Sequence, residues 1–180
     1  MGLLSCVERR HRLGTSVALD SSCTRLSTIL STLTRLSPRL ATLRLHSLHQ
    51  KTISVIDCYS PHAAADDSEL DAFCGHLEEV IRNEKFSYKC IVGDFNAMIG
   101  KGNGEDYRIG RLGIGDKNEL GNRLVDLMSA TRLFHSNSLF EKKEHRRWTW
   151  DSPNGTTHAK IDHILTNRRW SLYDTHETCK

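Results

Sequence analysis

The chain lacks any apolar run long enough to span a bilayer, so no segment reads as a membrane helix. It also lacks cysteines at CxxC spacing. The six it has, Cys6, Cys23, Cys58, Cys74, Cys90 and Cys179, are scattered, with no histidine cluster beside them. Neither a zinc site nor a disulfide framework is indicated, which predicts a reduced, intracellular protein. Cys58 and Cys90 fall inside apolar strand candidates, where a free thiol behaves as a small hydrophobe. The start is not laid out as a secretory leader: Met1 to Ser5 is apolar, but Glu8, Arg9, Arg10, His11 and Arg12 follow at once. Acids are scarce over residues 1–51, where only Glu8 and Asp20 occur. No internal repeat and no interdomain linker is present.

At 180 residues, with 38% hydrophobic and 26% charged, the chain suits one globular domain with a real core. The net charge of +3 says less than its distribution. Lys142, Lys143, His145, Arg146 and Arg147 form a basic run that ends in Trp148, and Arg168 and Arg169 precede Trp170. Basic clusters beside aromatics suit a phosphate backbone with nearby sugars or bases, and no membrane or protein partner is indicated. From charge alone, a solvated face or a hairpin turn explains the same residues.

The elements follow from periodicity. Thr15 to Leu19 is a short strand candidate. Thr28 to Leu36 fits strand or helix, because Ile29, Leu30, Leu33 and Leu36 also match a helical repeat. Leu40 to Leu45 alternates as a half-buried strand does, and Thr52 to Tyr59 is a β-branched run stopped by Ser60-Pro61. Asp66 to Asn83 is predicted to be a helix, with Leu70, Phe73, Leu77, Val80 and Ile81 at helical spacing, Asp66 and Asp67 at its positive end and Arg82 in its last turn. A strand is expected over Tyr88 to Phe95, a Gly-rich loop over Gly100 to Gly115, a helix over Asn118 to Thr131, and a short strand over Leu133 to Leu139. Trp148-Thr149-Trp150 and Ile161 to Leu165 read as two strands joined by a turn at Ser152-Pro153-Asn154-Gly155.

Cys90-Ile91-Val92-Gly93-Asp94-Phe95-Asn96 is the most informative stretch. A core strand ends abruptly in polar residues, and in layered α/β proteins such strand ends carry ligand or catalytic groups. Asp94 offers a carboxylate for a proton or a hard cation; Asn96, on the same side of an extended chain, offers an amide donor for a phosphate oxygen. Taken singly, Tyr59-Ser60-Pro61, Asp94-Phe95-Asn96 and Trp148-Thr149-Trp150 are ordinary packing or turn residues. Asp162, inside the apolar strand Ile161 to Leu165, is harder to dismiss, because burying an unpaired carboxylate is costly.

These four pieces, in this order, resemble the endonuclease/exonuclease/phosphatase superfamily, most closely the endonucleases of RTE-type non-LTR retrotransposons and the craniofacial development protein 2 group. The resemblance runs from about Gly14 to Trp170 and includes Ser37 to Thr42. It implies an α/β fold, a fragment of a four-layered α/β/β/α sandwich with two mostly antiparallel sheets flanked by helices. It divides the chain into a basic, poorly ordered segment 1–13, a partial domain 14–170 and a tail 171–180.

The function implied is Mg²⁺- or Mn²⁺-dependent hydrolysis of DNA phosphodiesters, and so a nuclear location. Asp94 matches the family's proton-handling Asp, Asn96 and Tyr59 its phosphate contacts, and Asp162 the acid that orients a later histidine. Arg147, Trp148, Trp150 and Asn154 match a hairpin at the nucleic-acid groove. The family's opening metal-binding strands and its closing Ser-Asp-His strand have no match, so the chain is expected to be truncated at both ends and impaired, with metal ligands unassigned. Glu8 receives no role, and His163 is expected to be a strand residue rather than the catalytic histidine. The alternatives are a non-catalytic nucleic-acid-binding remnant and another phosphoesterase of the superfamily.

Overall fold

The computed structural model describes residues 29–47, 52–102, 107–140 and 147–168. The strand candidate Thr15 to Leu19, the segments 1–13 and 171–180, and Lys142, Lys143, His145, Arg146, Arg169 and Trp170 lie outside these ranges.

Ile29–Ser37 is a strand, β1, which resolves its double periodicity. Pairing decides it: Pro38 and Arg39 turn the chain into β2, Leu40–Ser47, and the two run antiparallel from Ile29 opposite Ser47 to Thr34 opposite Thr42. β3, Ile53–Tyr59, continues the antiparallel order. Helix α1, Asp67–Asn83, then carries the chain back so that β4, Tyr88–Asp94, lies parallel to β3, as a parallel pair requires of its connection. Helix α2, Glu119–Thr131, follows.

Two expectations need correction. Only Phe134–His135 of the predicted Leu133 to Leu139 strand is extended (β5), and a 3₁₀ turn over Ser136–Ser138 follows, with the Ser138 hydroxyl donating to the His135 carbonyl at 2.9 Å. The Trp148 and Ile161 segments are not partners. Trp150–Asp151 (β6) pairs with His158–Ala159 (β7), and Asp162–Thr166 (β8) joins the large sheet. The turn geometry at Ser152 to Gly155 closes the hairpin early, which frees the later residues to pair elsewhere.

The large sheet has six strands in the order β1-β2-β3-β4-β8-β5, and a second sheet holds β6 and β7. Alternation along the strands sends Ile56, Cys58, Ile91 and Leu165 to one face, where they are buried against Leu70, Phe73, Leu77 and Ile81 of α1 and Leu120, Leu124, Leu127 and Met128 of α2. The register puts Leu33, Leu43, Val55 and Cys90 in one line across the opposite face, where Leu33 is 65% exposed. A mixed sheet with helices on one face and a small second sheet agrees with the expected partial sandwich.

Candidate active site

Three neighbouring strands deliver the predicted polar residues to one place. Tyr59 is opposite Asp94 in the β3–β4 register, and Asp94 is opposite Asp162 in the β4–β8 register. Opposed residues share a face, so Tyr59, Asp94 and Asp162 stand in a row at one end of the sheet, each about 5 Å from the next. The row is on the face turned away from the helices. Tyr59 is 40% exposed, and both carboxylates are half-buried.

The approach of β3 and β4 explains the glycine before Asp94. A Cβ on Gly93 would stand 1.9 Å from the carbonyl oxygen of Cys58, well inside van der Waals contact. Beyond Asp94 the chain turns sharply. The Asn96 N–H donates to Asp94 Oδ1 at 2.9 Å, and Asn96 itself has φ +51°, a left-handed conformation that Asn tolerates. Its Nδ2 donates to the Ser60 carbonyl at 3.1 Å, and the Ser60 N–H donates back to the Asp94 carbonyl at 2.8 Å. An Asn amide has a second N–H and an acceptor oxygen, which leaves Asn96 capacity for one more partner. Further along, Met98 is held at both its N–H and its carbonyl by Asn118.

Residues not singled out for a role complete the surroundings. Arg39 leads into β2 beside Tyr59: the Tyr59 N–H donates to the Arg39 carbonyl at 3.0 Å, and the guanidinium lies 5.6 Å from the Tyr59 ring centroid. Its other contact is Glu69 Oε1 at 2.7 Å. Thr149 Oγ1 accepts from the N–H groups of Ile161 and Asp162 at 3.0 and 3.1 Å, and so ties the hairpin to the end of the row. No local sequence signal marks either residue; the β2–β3 register and the path of the hairpin bring them in.

Within the hairpin, Arg147 is half-buried and Trp148 stacks on His158 at 6.0 Å between centroids. Trp150 is 43% exposed. Asn154 sits in the turn, where its Oδ1 accepts from the Ser152 and Thr156 hydroxyls at 2.7 and 2.8 Å. His163 is a buried strand residue, as expected. Its Nε2 lies 2.7 Å from the Ala97 carbonyl, and its Nδ1 lies 2.8 Å from Nε2 of His135, also buried. Burial holds both imidazoles below the ordinary 6.5, His163 at about 4 and His135 well down, with the nearby Lys160 charge acting in the same direction. Burial, with the charges of Asp57 and Asp94, pushes the Cys58 thiol well up, so it is no nucleophile.

Among the described residues no three His, Cys, Asp or Glu side chains gather as a metal site. Asp94 and Asp162 face each other, but one Asp94 oxygen already accepts the Asn96 N–H. Mg²⁺ demands near-octahedral oxygen coordination. The described residues alone do not meet that demand.

No family model matches the chain. It is 34% identical over 119 residues to craniofacial development protein 2 of Tragulus javanicus and, equally, of Bos taurus, a match covering 66% of this chain. The chain spans about a fifth of those relatives, 21% and 20% of their lengths. In structure it is similar to the 3′ phosphatase NExo from Neisseria, bound to a product DNA hairpin, with a TM-score of 0.54 at 16% identity, covering 81% of this chain and 60% of that one. The chain thus shares its fold with NExo and has sequence likeness to craniofacial development protein 2.

Proposed function

We propose that this chain carries the phosphate-facing half of a site that hydrolyses phosphoesters of DNA, and that alone it binds the phosphate far better than it cleaves. The observation that supports this is the row Tyr59, Asp94, Asp162 on one sheet face, with the Asn96 amide beside it. A phosphate presents acceptor oxygens and negative charge, so the donors are Asn96 Nδ2 and the Tyr59 hydroxyl, and the compensating cation is Arg39. Asp94 is the group placed to take or return a proton. A divalent cation would neutralise the phosphoryl group and acidify an attacking water. The described residues offer it no complete site, which is why slow turnover belongs to this reading.

DNA enters through NExo, whose structure holds a product DNA hairpin, and through Arg147 and the exposed Trp150 of the β6–β7 hairpin segment, residue types suited to a backbone and a base. The same hairpin favours a nucleic acid over a phosphoinositide. An RTE-type ancestry goes with this reading: a reverse transcriptase frame adjoining the gene would support it, and an unrelated flanking gene would count against it.

Fluorescence anisotropy on a short duplex and plasmid nicking with Mg²⁺ test the function. We expect binding that weakens steeply with salt. Asn96→Ala should cost roughly tenfold in affinity, the scale of one hydrogen bond to a charged group. Nicking should stay near background and be indifferent to Asp94→Ala. Fast nicking that Asp94→Ala abolishes would replace the impaired site with a complete one, and a chain that ignores DNA would end the phosphate reading.

A further inference from the structure

We propose that His135 and His163 form a buried, tautomer-locked strut that positions the Asn96 turn, making both histidines positioning residues for the phosphate site. The protons can be assigned from the contacts. A carbonyl oxygen cannot donate, so the 2.7 Å contact from His163 to Ala97 requires a hydrogen on Nε2. A neutral imidazole carries one N–H, so Nδ1 of His163 is a bare lone pair. His135 Nε2, 2.8 Å away, must therefore donate to it. That leaves Nδ1 of His135 as a lone pair, and it is buried without a partner among the described residues. Each histidine is 2% exposed.

The strut runs from β5, through β8, to the carbonyl of Ala97, the residue after Asn96. Asp94 Oδ1 holds Asn96 at its own N–H, and His163 holds the carbonyl of the next residue. Asn96 is fixed from both sides in its left-handed conformation, which sets where its amide points. The Phe95 ring, 6.0 Å from the His163 ring, fills the remaining side. Two apolar side chains could pack in the same space without a stranded lone pair, but they could not hold the Ala97 carbonyl. This inference rests on the reading of Asn96 as the phosphate contact.

The test uses the full chain labelled with ¹⁵N. Long-range ¹H–¹⁵N correlation near pH 7 should show both imidazoles neutral with the hydrogen on Nε2; either ring protonated on Nδ1 would overturn the strut. His163→Leu removes the donor, and His163→Gln supplies an amide N–H in its place. His163→Leu should move the Asn96 side-chain amide resonance and weaken duplex binding roughly tenfold, while His163→Gln restores most of both. If His163→Leu fails to fold, His163→Gln and His135→Leu still report through the Asn96 resonance. An Asn96 resonance and an affinity that ignore these substitutions would remove the positioning role. Should the unmodified chain fail to bind DNA, the phosphate reading falls alone, and the Asn96 resonance still decides the strut.

Discussion

Gly93 shows how close the site is to steric failure. The Cys58 carbonyl occupies the place where a side chain would begin, so Gly93→Ala must push β3 from β4 at the point where Tyr59 and Asp94 meet. We expect a loss on the order of 3 kcal/mol in urea unfolding, as for other overpacked core positions, with DNA binding lost in step; an unchanged midpoint would show that the strands have slack. The sequence made Gly93-Asp94-Phe95-Asn96 legible only in company: alone it reads as a strand end or turn, and its order with Tyr59, Trp148, Trp150 and Asp162 is what singles it out. The sequence could not single out Arg39 or Thr149. Their positions depend on which strand lies next to which, and arginine before a strand or threonine between tryptophans is common.

Elements recover what residues leave open. The helical spacing of Leu70, Phe73, Leu77 and Ile81 was enough to place α1, and Asp66 caps it by accepting the Glu69 N–H. The spacing in β1 fitted two answers, and pairing with β2 selected one. Helix α2 is tied to the site by its cap: Asn118 Oδ1 accepts from Gly121 at the helix start and from Met98 in the turn after Asn96. Asn118→Ala removes both bonds. We expect a cost of about 1–2 kcal/mol and faster amide exchange at Gly121 and Met98 than elsewhere in α2. Exchange unchanged at Met98 would mean that the turn does not depend on the helix.

At the scale of the whole molecule, the buried histidines make stability depend on pH. His163 titrates at about 4 in the folded chain against an ordinary 6.5. Between those values the unfolded chain binds a proton that the folded one excludes. Stability is therefore full above about 6.5, declines as the pH falls towards 4, and stops depending on this group below that. The gap corresponds to about 3 kcal/mol from His163, and His135 acts in the same direction. Melting temperatures at pH 7, 5.5 and 4.5 should fall in that order, and His163→Gln should flatten the trend; a constant melting temperature would show that the pair is hydrated or already charged.

The class of fold followed from the resemblance that the ordered motifs carry; the local sequence by itself determined the boundaries of both helices, the burial of Cys58 and the polar strand end. Each of these depends on local periodicity or on the order of a few neighbours. Tertiary structure alone decided that Tyr59, Asp94 and Asp162 share a row, that Arg39 and Thr149 join them, that the Trp150 strand pairs within its own hairpin, and that two histidines 28 residues apart exchange a hydrogen bond. Those facts depend on strand register and long-range pairing, because a shift of one residue would turn every one of these side chains to the other face.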